Sequence, residues 1–479
     1  MLAYDLAVIG SGPAGQKAAI QAAKLGRSVC VIEAQEVLGG AAINTGTIPS
    51  KALREAILRR AGRVTSQPRV ADFMAAAAAP GADGKAITLA GLWSSCQDVI
   101  KAEIEMVRGH FESNGIDLIT GRAQFRDAST IDAVGAHAST ALSARRVLIA
   151  VGTMPTKPGN MPFDSIDVIT SDELLNLHKL PHSMIVVGGG VIGTEYASML
   201  AALGVKVTLI EGRGRLLDFI DAEIAEALQY HLRQAGVTLR LGEKVVSIRK
   251  CDPPPGARTT NQVMAEATLE SGKTLRADCL LYCIGRQGAT EGLNLGAAGL
   301  TADDRGRITV GPFGQTDVPH IYAAGDVVGF PALASTSMEQ GRLAACHMFG
   351  VACESVPELL PYGIYSIPEI SMVGWTEERL TKEGIPYESG VANYREIARG
   401  QLLGDEIGML KLLIHQESHA ILGVHVIGTG ATELVHIGQT AIAFKATVEY
   451  FVNTVFNYPT LAECYKVAAL NGLNKLRNV

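Results

Sequence analysis

Two glycine turns, each followed at the same distance by a glutamate, carry the clearest chemistry in this chain. The first is Gly10-Ser11-Gly12-Pro13-Ala14-Gly15 and the second is Gly188-Gly189-Gly190-Val191-Ile192-Gly193. Each follows an apolar run, Tyr4 to Ile9 or Met184 to Val187, and opens a helix-patterned stretch that reaches Leu25 or Leu203. A second apolar run then closes on an acid, Glu33 or Glu211, 23 residues after the leading glycine in both cases. Strand, glycine turn, helix, strand and terminal acid are the context that turns a weak G-x-G-x-x-G match into a dinucleotide-binding fingerprint. The first glycine makes the tight turn, the second lets a pyrophosphate approach the backbone, and the third lets the helix pack on the strand. Unpaired N–H groups and the dipole at the helix start favour the pyrophosphate charge. Glu33 and Glu211 are then placed to accept ribose hydroxyls. Two matches at one spacing imply two bound dinucleotides.

The elements that must position these turns follow from the hydrophobic pattern. At 479 residues the chain is long enough for about three domains. A helical stretch runs from Pro49 to Arg63, and an alanine-rich segment from Ala71 to Ala86 reads as a surface connection. A helix from Leu92 to Ser113 leads into alternating strands up to Val151, and Thr156 to Pro162 forms a crossover. Consecutive prolines at Pro253, Pro254 and Pro255 mark an exposed hairpin loop, because proline cannot sit in a central strand. A strand ending at Gly325-Asp326 precedes a helix from Ser335 to Met348. From Pro361 onward, strands alternating with two helices and ending in Ala462 to Leu476 predict a separate C-terminal α+β domain.

Composition excludes several classes. Apolar residues make up 47% and charged residues 19%, with 52 glycines, a globular enzyme composition. A formal charge of −6 without a Lys/Arg cluster gives no electrostatic footprint for nucleic acid. No apolar run approaches the roughly 20 residues of a membrane span. The start of the chain is an apolar strand entering a glycine turn, with no basic leader, and reads as mature structure. The eight cysteines form no C-x-x-C pair and read as reduced thiols of a cytoplasmic protein. Cys279 and Cys283 share one face of a strand, too far apart to bridge. His415 and His419 have a metal-pair spacing but flank a turn between strands, so a solvated hairpin end is expected and no metal is assigned.

Residues Gly39-Gly40-Ala41-Ala42-Ile43-Asn44-Thr45-Gly46-Thr47-Ile48-Pro49-Ser50-Lys51 resemble the active-site segment of the pyridine nucleotide–disulfide oxidoreductases, the lipoamide dehydrogenase and glutathione reductase superfamily. The resemblance extends through Ile149-Ala150-Val151-Gly152, Tyr282-Cys283-Ile284-Gly285-Arg286 and Ala323-Ala324-Gly325-Asp326. It implies an α/β fold with two Rossmann-like domains, one for FAD and one for NAD(P), plus a C-terminal α+β dimerisation domain. The FAD domain would comprise residues 1–155 and 281–350, the NAD(P) domain 156–280, and the interface domain of a homodimer 351–479. It further implies that Gly10, Gly12, Gly15, Glu33, Ala34, Gly39, Gly40, Ala42, Thr47, Lys51, Gly152, Gly325 and Asp326 line the FAD, with Asp326 on the ribityl chain. Gly188, Gly190, Gly193, Glu211, Arg213, Arg215 and Gly285 would line the NAD or NADP.

Two departures from that family bear on function. Its redox cysteines lie five apart, at the positions of Ala42 and Thr47, and neither residue can cycle through a disulfide. Its acid–base histidine, oriented by a glutamate, falls at Tyr458, although Glu463 remains. A tyrosine with an ordinary pKa near 10 is a poor base for thiolate chemistry. Disulfide reduction is therefore lost. Lys51 and Glu195 match a pair the family keeps beside the flavin N5, where a cation stabilises developing negative charge. Tyr458 is left with two roles: contact with the nicotinamide, or closure of the second subunit's pocket.

With no third fingerprint, two nicotinamide nucleotides would use the Gly188 site in turn, in a ping-pong cycle through the flavin. The segments Gly46 to Arg54, Ile364 to Ser371, Phe456 to Glu463 and Ala468 to Leu473 resemble the branch of the family that passes hydride between NADPH and NAD⁺, in which a cysteine at the position of Ala42 is usual. Glu211 suits the NAD ribose, while Arg213 and Arg215 can receive a 2′-phosphate. A diaphorase, quinone reductase or NADH oxidase is the competing enzyme reading. A non-catalytic nucleotide-binding relic of a disulfide reductase is the other.

Overall fold

Alternation along the strand Leu2–Ile9 explains the first unit. Leu6 and Val8 face one side, where they meet Ala14, Ala18 and Ala22 of the helix Pro13–Lys24. Ala7 and Ile9 face the other, against Phe125 and Ile131. A parallel strand covered on both faces reads as continuous apolar sequence, and these four residues are at most 4% exposed. The computed structural model describes residues 1–62, 89–136, 138–354 and 359–477. The connection expected over 71–86 lies outside them. The chain divides into two compact units, the first made of Met1–Leu53, Trp93–Thr156 and Ile284–Glu358.

The sheet of that unit runs Asp117–Thr120, Val29–Glu33, Leu2–Ile9, Ser139–Ile149, with Ile321–Ala323 also parallel to the last of these. The long strand Ser139–Ile149 also carries an antiparallel flap, Thr130–Val134 and Arg122–Phe125. Helix Pro13–Lys24 packs against helix Ala334–Met348 so closely that a methyl group at Gly341 would lie 2.0 Å from the Ala14 carbonyl oxygen. Small residues are what allow that approach.

The second unit comprises Arg54–Leu92, Lys157–Cys283 and Leu359–Val479. Its parallel sheet, Thr238–Leu241, Lys206–Glu211, Ser183–Val187, Cys279–Tyr282 and Val168–Ile169, surrounds the second glycine turn. An antiparallel ribbon, Val245–Cys251, Met264–Leu269 and Thr274–Ala277, adjoins it in sequence, and the three prolines occupy the loop between its first two strands. The C-terminal sheet is antiparallel, in the order Tyr362–Ile364, Ile370–Gly374, Ile421–Ile427, Met409–His415, Tyr387–Asn393. Helix Glu463–Leu476 covers it with Cys464, Tyr465, Ala468 and Ala469. The buried Tyr465 hydroxyl donates to the Leu434 carbonyl at 2.7 Å and accepts the Gly438 amide at 3.0 Å.

One fully buried cation also sits in this unit. Lys411 Nζ lies 2.9 Å from Asp221, 2.8 Å from Glu223 and 2.6 Å from Glu377. These three carboxylates have the spacing of a cation site, and the ammonium takes that place. Burial works to raise the pKa of Asp221, but the charges of His425 and Lys411 outweigh it and hold the carboxyl low.

The pattern of two C-terminal helices needs correcting. Besides Ala431–Ala443 and Glu463–Leu476, the chain forms Glu377–Glu383, Ala398–Leu403 and Val448–Asn453. Each is seven residues or fewer, too short for a 3.6-residue periodicity to register. His415 and His419 do bracket a hairpin end: His415 Nδ1 accepts the amides of Glu417 and Ser418, and His419 pairs with Glu449. All eight cysteines are free thiols, and burial pushes Cys30 and Cys464 up to about 12. Among the described residues no helix is long and apolar enough to cross a membrane.

Candidate functional site

In the first cradle the chain leaves strand Leu2–Ile9 through Gly10, whose φ of +105° and whose approach to Ala150 O exclude a side chain. Gly12 caps the helix Pro13–Lys24, and no side chain competes for that cap. Space beside Gly12 is open to at least 4 Å where a methyl group would project. Gly15 is the opposite case: a methyl group there would lie 2.0 Å from the Gly10 carbonyl oxygen. One glycine therefore leaves room for a ligand, and the other is required by packing. Glu33 ends the next strand, buried, and accepts the Ser11 amide at 2.9 Å and hydroxyl at 2.6 Å on one oxygen. Its other oxygen accepts the Gln35 amide at 2.9 Å. Ala34 follows on the surface.

The Ser11 hydroxyl also accepts the Gly39 amide at 2.9 Å, drawing in the loop before the short helix Gly40–Asn44. Gly40 lies against Gly12, its methyl position 3.0 Å from the Gly12 Cα. Ala42 lies half-buried in that helix, and exposed Thr47 begins the next, Thr47–Gly62. The turn between them is closed on Ala41 O by the amides of Thr45 and Gly46. Lys51 Nζ donates to Ser50 Oγ at 3.2 Å. Close to Ala14 of the first fingerprint, Asp326 accepts the hydroxyls of Thr153 and Ser337, each at 3.4 Å. Gly325 before it holds φ +85° and donates its amide to Gln340. Gly152 and Gly285 also have positive φ, +66° and +82°, and the Gly285 carbonyl accepts the Thr156 amide.

The second cradle repeats the first in the other unit. Gly188 has φ +110°, Gly190 caps the helix Val191–Ala202 beside open space, and Gly193 lies where a methyl group would meet the Gly188 carbonyl at 1.9 Å. Glu211 accepts the Gly189 amide at 2.6 Å on one oxygen and the Arg213 amide at 2.9 Å on the other. These are the positions that Ser11 and Gln35 hold around Glu33. Burial pulls the Glu211 pKa upward, but hydrogen bonds from Arg213 and Gly189 outweigh it and keep the carboxylate ionised. Ser11 has no counterpart hydroxyl: a methyl group at Gly189 would lie 2.4 Å from Leu216 Cδ2, which fills that space.

The two arginines after Glu211 separate in role. Arg213 forks onto Glu211, with Nε at 2.9 Å and Nη2 at 3.1 Å from its two oxygens, and pairs through Nη1 with Asp218. Its side chain is 47% exposed, so the outer edge of the guanidinium stays reachable. Arg215 points away, to Glu378 at 3.0 Å and the carbonyls of Asp218 and Ile220. It braces the loop.

Glu195 is buried on the helix Val191–Ala202, and its carboxylate accepts the Tyr365 amide at 2.8 Å. Ser198, one turn on, accepts the Ile367 amide. Buried Arg54 binds the next peptide, donating to Ser366 O at 3.1 Å and pairing with Glu369. The motif from Ile364 to Ser371 is thus fastened from several sides. Tyr458 is 70% exposed, and Glu463 accepts the Thr460 amide at the start of the last helix. Ser11, Asp218 and Glu378 escape sequence reasoning. Ser11 fills a free position of the fingerprint, and the two acids show their partners only in three dimensions.

Known proteins place this arrangement. The Pyridine nucleotide-disulphide oxidoreductase family model matches residues 4–341, and the dimerisation domain model of the same name matches 360–469. The chain is 50% identical over 479 residues to the soluble pyridine nucleotide transhydrogenase of Mycobacterium bovis (strain BCG / Pasteur 1173P2), covering 100% of this chain and 98% of the relative. It is 44% identical to the protein of that name from Photobacterium profundum, covering 99% and 98%. In structure it is similar to the HOCl-induced flavoprotein disulfide reductase RclA from Escherichia coli, with a TM-score of 0.85, 25% identity and coverage of 98% and 99%. LpdA from Mycobacterium tuberculosis gives the same TM-score, identity and coverage.

Proposed function

The chain belongs to the pyridine nucleotide-disulphide oxidoreductase family, and from that premise we propose that it is an FAD-dependent transhydrogenase passing hydride between NADPH and NAD⁺. The observation that carries this reading is full-length identity of up to 50% to soluble pyridine nucleotide transhydrogenases, in a chain whose Ala42, Thr47 and Tyr458 supply no thiol chemistry. The residues present fit both dinucleotides: each cradle pairs open space at its middle glycine with a buried glutamate at the end of the next strand. FAD takes the Gly10 cradle and stays, and NAD(H) and NADP(H) take the Gly188 cradle in turn.

Bound flavin supplies the hydride acceptor and donor. The chain's own work is to bind and orient. Lys51 supplies positive charge beside the flavin, and Glu195, oriented by Tyr365, supplies the counter-charge. Asp326 holds the ribityl chain, and Arg213 receives the 2′-phosphate. The FAD domain takes residues 1–155 and 281–350, the NAD(P) domain 156–280, and the dimerisation domain 351–479, which forms a cytoplasmic homodimer. Exposed Tyr458, Phe444 and Val455 belong to that last region.

Purified protein mixed with NADPH and thio-NAD⁺ tests the reading directly. Thio-NADH should form while NADPH bleaches the flavin absorbance and NAD⁺ restores it. Flavin that bleaches but is reoxidised only by dyes or oxygen would leave a diaphorase. Flavin that never bleaches would leave a relic.

A further inference from the structure

The second cradle sets one cation between two anions of unlike standing. Glu211 is buried, fixed by the Gly189 amide and gripped by Arg213 Nε and Nη2. Asp218 takes Arg213 Nη1 from the solvent side, with its own side chain 49% exposed. It is not a loose surface partner. Arg215 donates to the Asp218 carbonyl at 3.1 Å and is itself held by Glu378, so the backbone that carries Asp218 is pinned beside Arg213.

The trio Glu211, Arg213 and Asp218 has a formal charge of −1. NAD brings a hydroxyl to this position, and Glu211 accepts it without disturbing the arginine. NADP brings a phosphate with more than one negative charge, which must share Arg213 with Asp218 and also approach two carboxylates. We propose that Asp218 is a specificity-determining residue, an internal rival of the 2′-phosphate that keeps NADP(H) from outbinding NAD(H). This rests on the reading that one cradle serves both nucleotides. An enzyme that exchanges them there needs neither to linger, and a displaceable carboxylate weakens one without touching the other.

Two probes isolate the effect: 5′-AMP and 2′,5′-ADP differ only in the 2′-phosphate. Asp218→Asn in the FAD-loaded enzyme removes the charge and keeps a hydrogen-bond acceptor for Arg213. By titration calorimetry 2′,5′-ADP should bind about three- to tenfold more tightly to this variant than to the parent, and 5′-AMP within about twofold. Asp218→Glu should behave as the parent, and in Asp218→Asn/Arg213→Ala the gain should vanish. An unchanged affinity for 2′,5′-ADP, or equal shifts for both probes, overturns the proposal. Thio-NAD⁺ reduction by the parent enzyme reports on the transhydrogenase reading separately. If that reaction fails while the 2′,5′-ADP gain appears, the role of Asp218 stands and the proposed reaction falls.

Discussion

Arg213 grips Glu211 three times, through its backbone amide, Nε and Nη2. An arginine already committed to an acid still keeps N–H groups on its outer edge for a phosphate, because the guanidinium carries five. Arg213→Ala should raise the KM for NADPH about tenfold and that for NADH less than threefold, as steady-state kinetics with each donor would register. Equal effects on both donors would remove Arg213 from phosphate recognition.

The glycines of each fingerprint should separate ligand binding from folding. Gly12→Ala meets no protein atom within 4 Å, so the variant should fold with a native circular dichroism spectrum yet purify with much less FAD. Gly190→Ala should retain FAD and raise the KM for both nucleotides. Gly15→Ala, facing a carbonyl oxygen at 2.0 Å, should lose about 3 kcal/mol of stability. A Gly12→Ala protein with full flavin content would contradict this assignment.

Charge beside the flavin should matter to rate more than to binding. Lys51→Met and Glu195→Gln should each slow flavin reduction by NADPH about a hundredfold in stopped flow. FAD content should be unchanged, since the glutamine still accepts the Tyr365 amide.

Lys411→Met leaves buried Asp221 without its ammonium, alongside Glu223 and Glu377. Loss of one partner from a buried ion cluster costs about 3–5 kcal/mol. Because the folded pKa of Asp221 is lowered, its contribution in the parent is complete above the unfolded value of about 3.9 and is lost as pH falls through the folded value. In the variant that carboxylate is a burden that protonation relieves. Urea unfolding should therefore show the largest deficit near pH 7 and a smaller one near pH 4, a trend also shaped by neighbouring His425. A deficit independent of pH would point to lost packing instead.

Thiol titration of the unfolded protein should count eight groups whether or not NADPH was added first, since every cysteine is already free. New thiols after NADPH would reveal a redox disulfide.

Much of this was legible in sequence because it is local. Glycine turns and terminal acids act within one βαβ unit, so spacing alone locates Gly10, Glu33, Gly188 and Glu211. Departures were equally plain: Ala42, Thr47 and Tyr458 stand where thiol chemistry needs other residues. Contacts closed across the chain were not legible. Lys411 reaches Asp221 over 190 positions, and Arg215 reaches Glu378 over 163, so nothing in their neighbourhoods announces either pair. For Arg215 that distance adds a bracing contact that the local reading could not show.

The Ser11 hydroxyl, one of the features that distinguish the two cradles, has a kinetic consequence in the proposed cycle. Ser11 latches Glu33 to the Gly39 amide, and opening that loop must break the bond from the Gly39 amide to a hydroxyl held in place by a carboxylate. Gly189 offers no latch, and a leucine methyl occupies the gap instead. Long residence at one site and rapid turnover of occupants at the other are what a shuttle needs from two otherwise matching folds. In the proposed cycle one oxygen atom contributes to that difference.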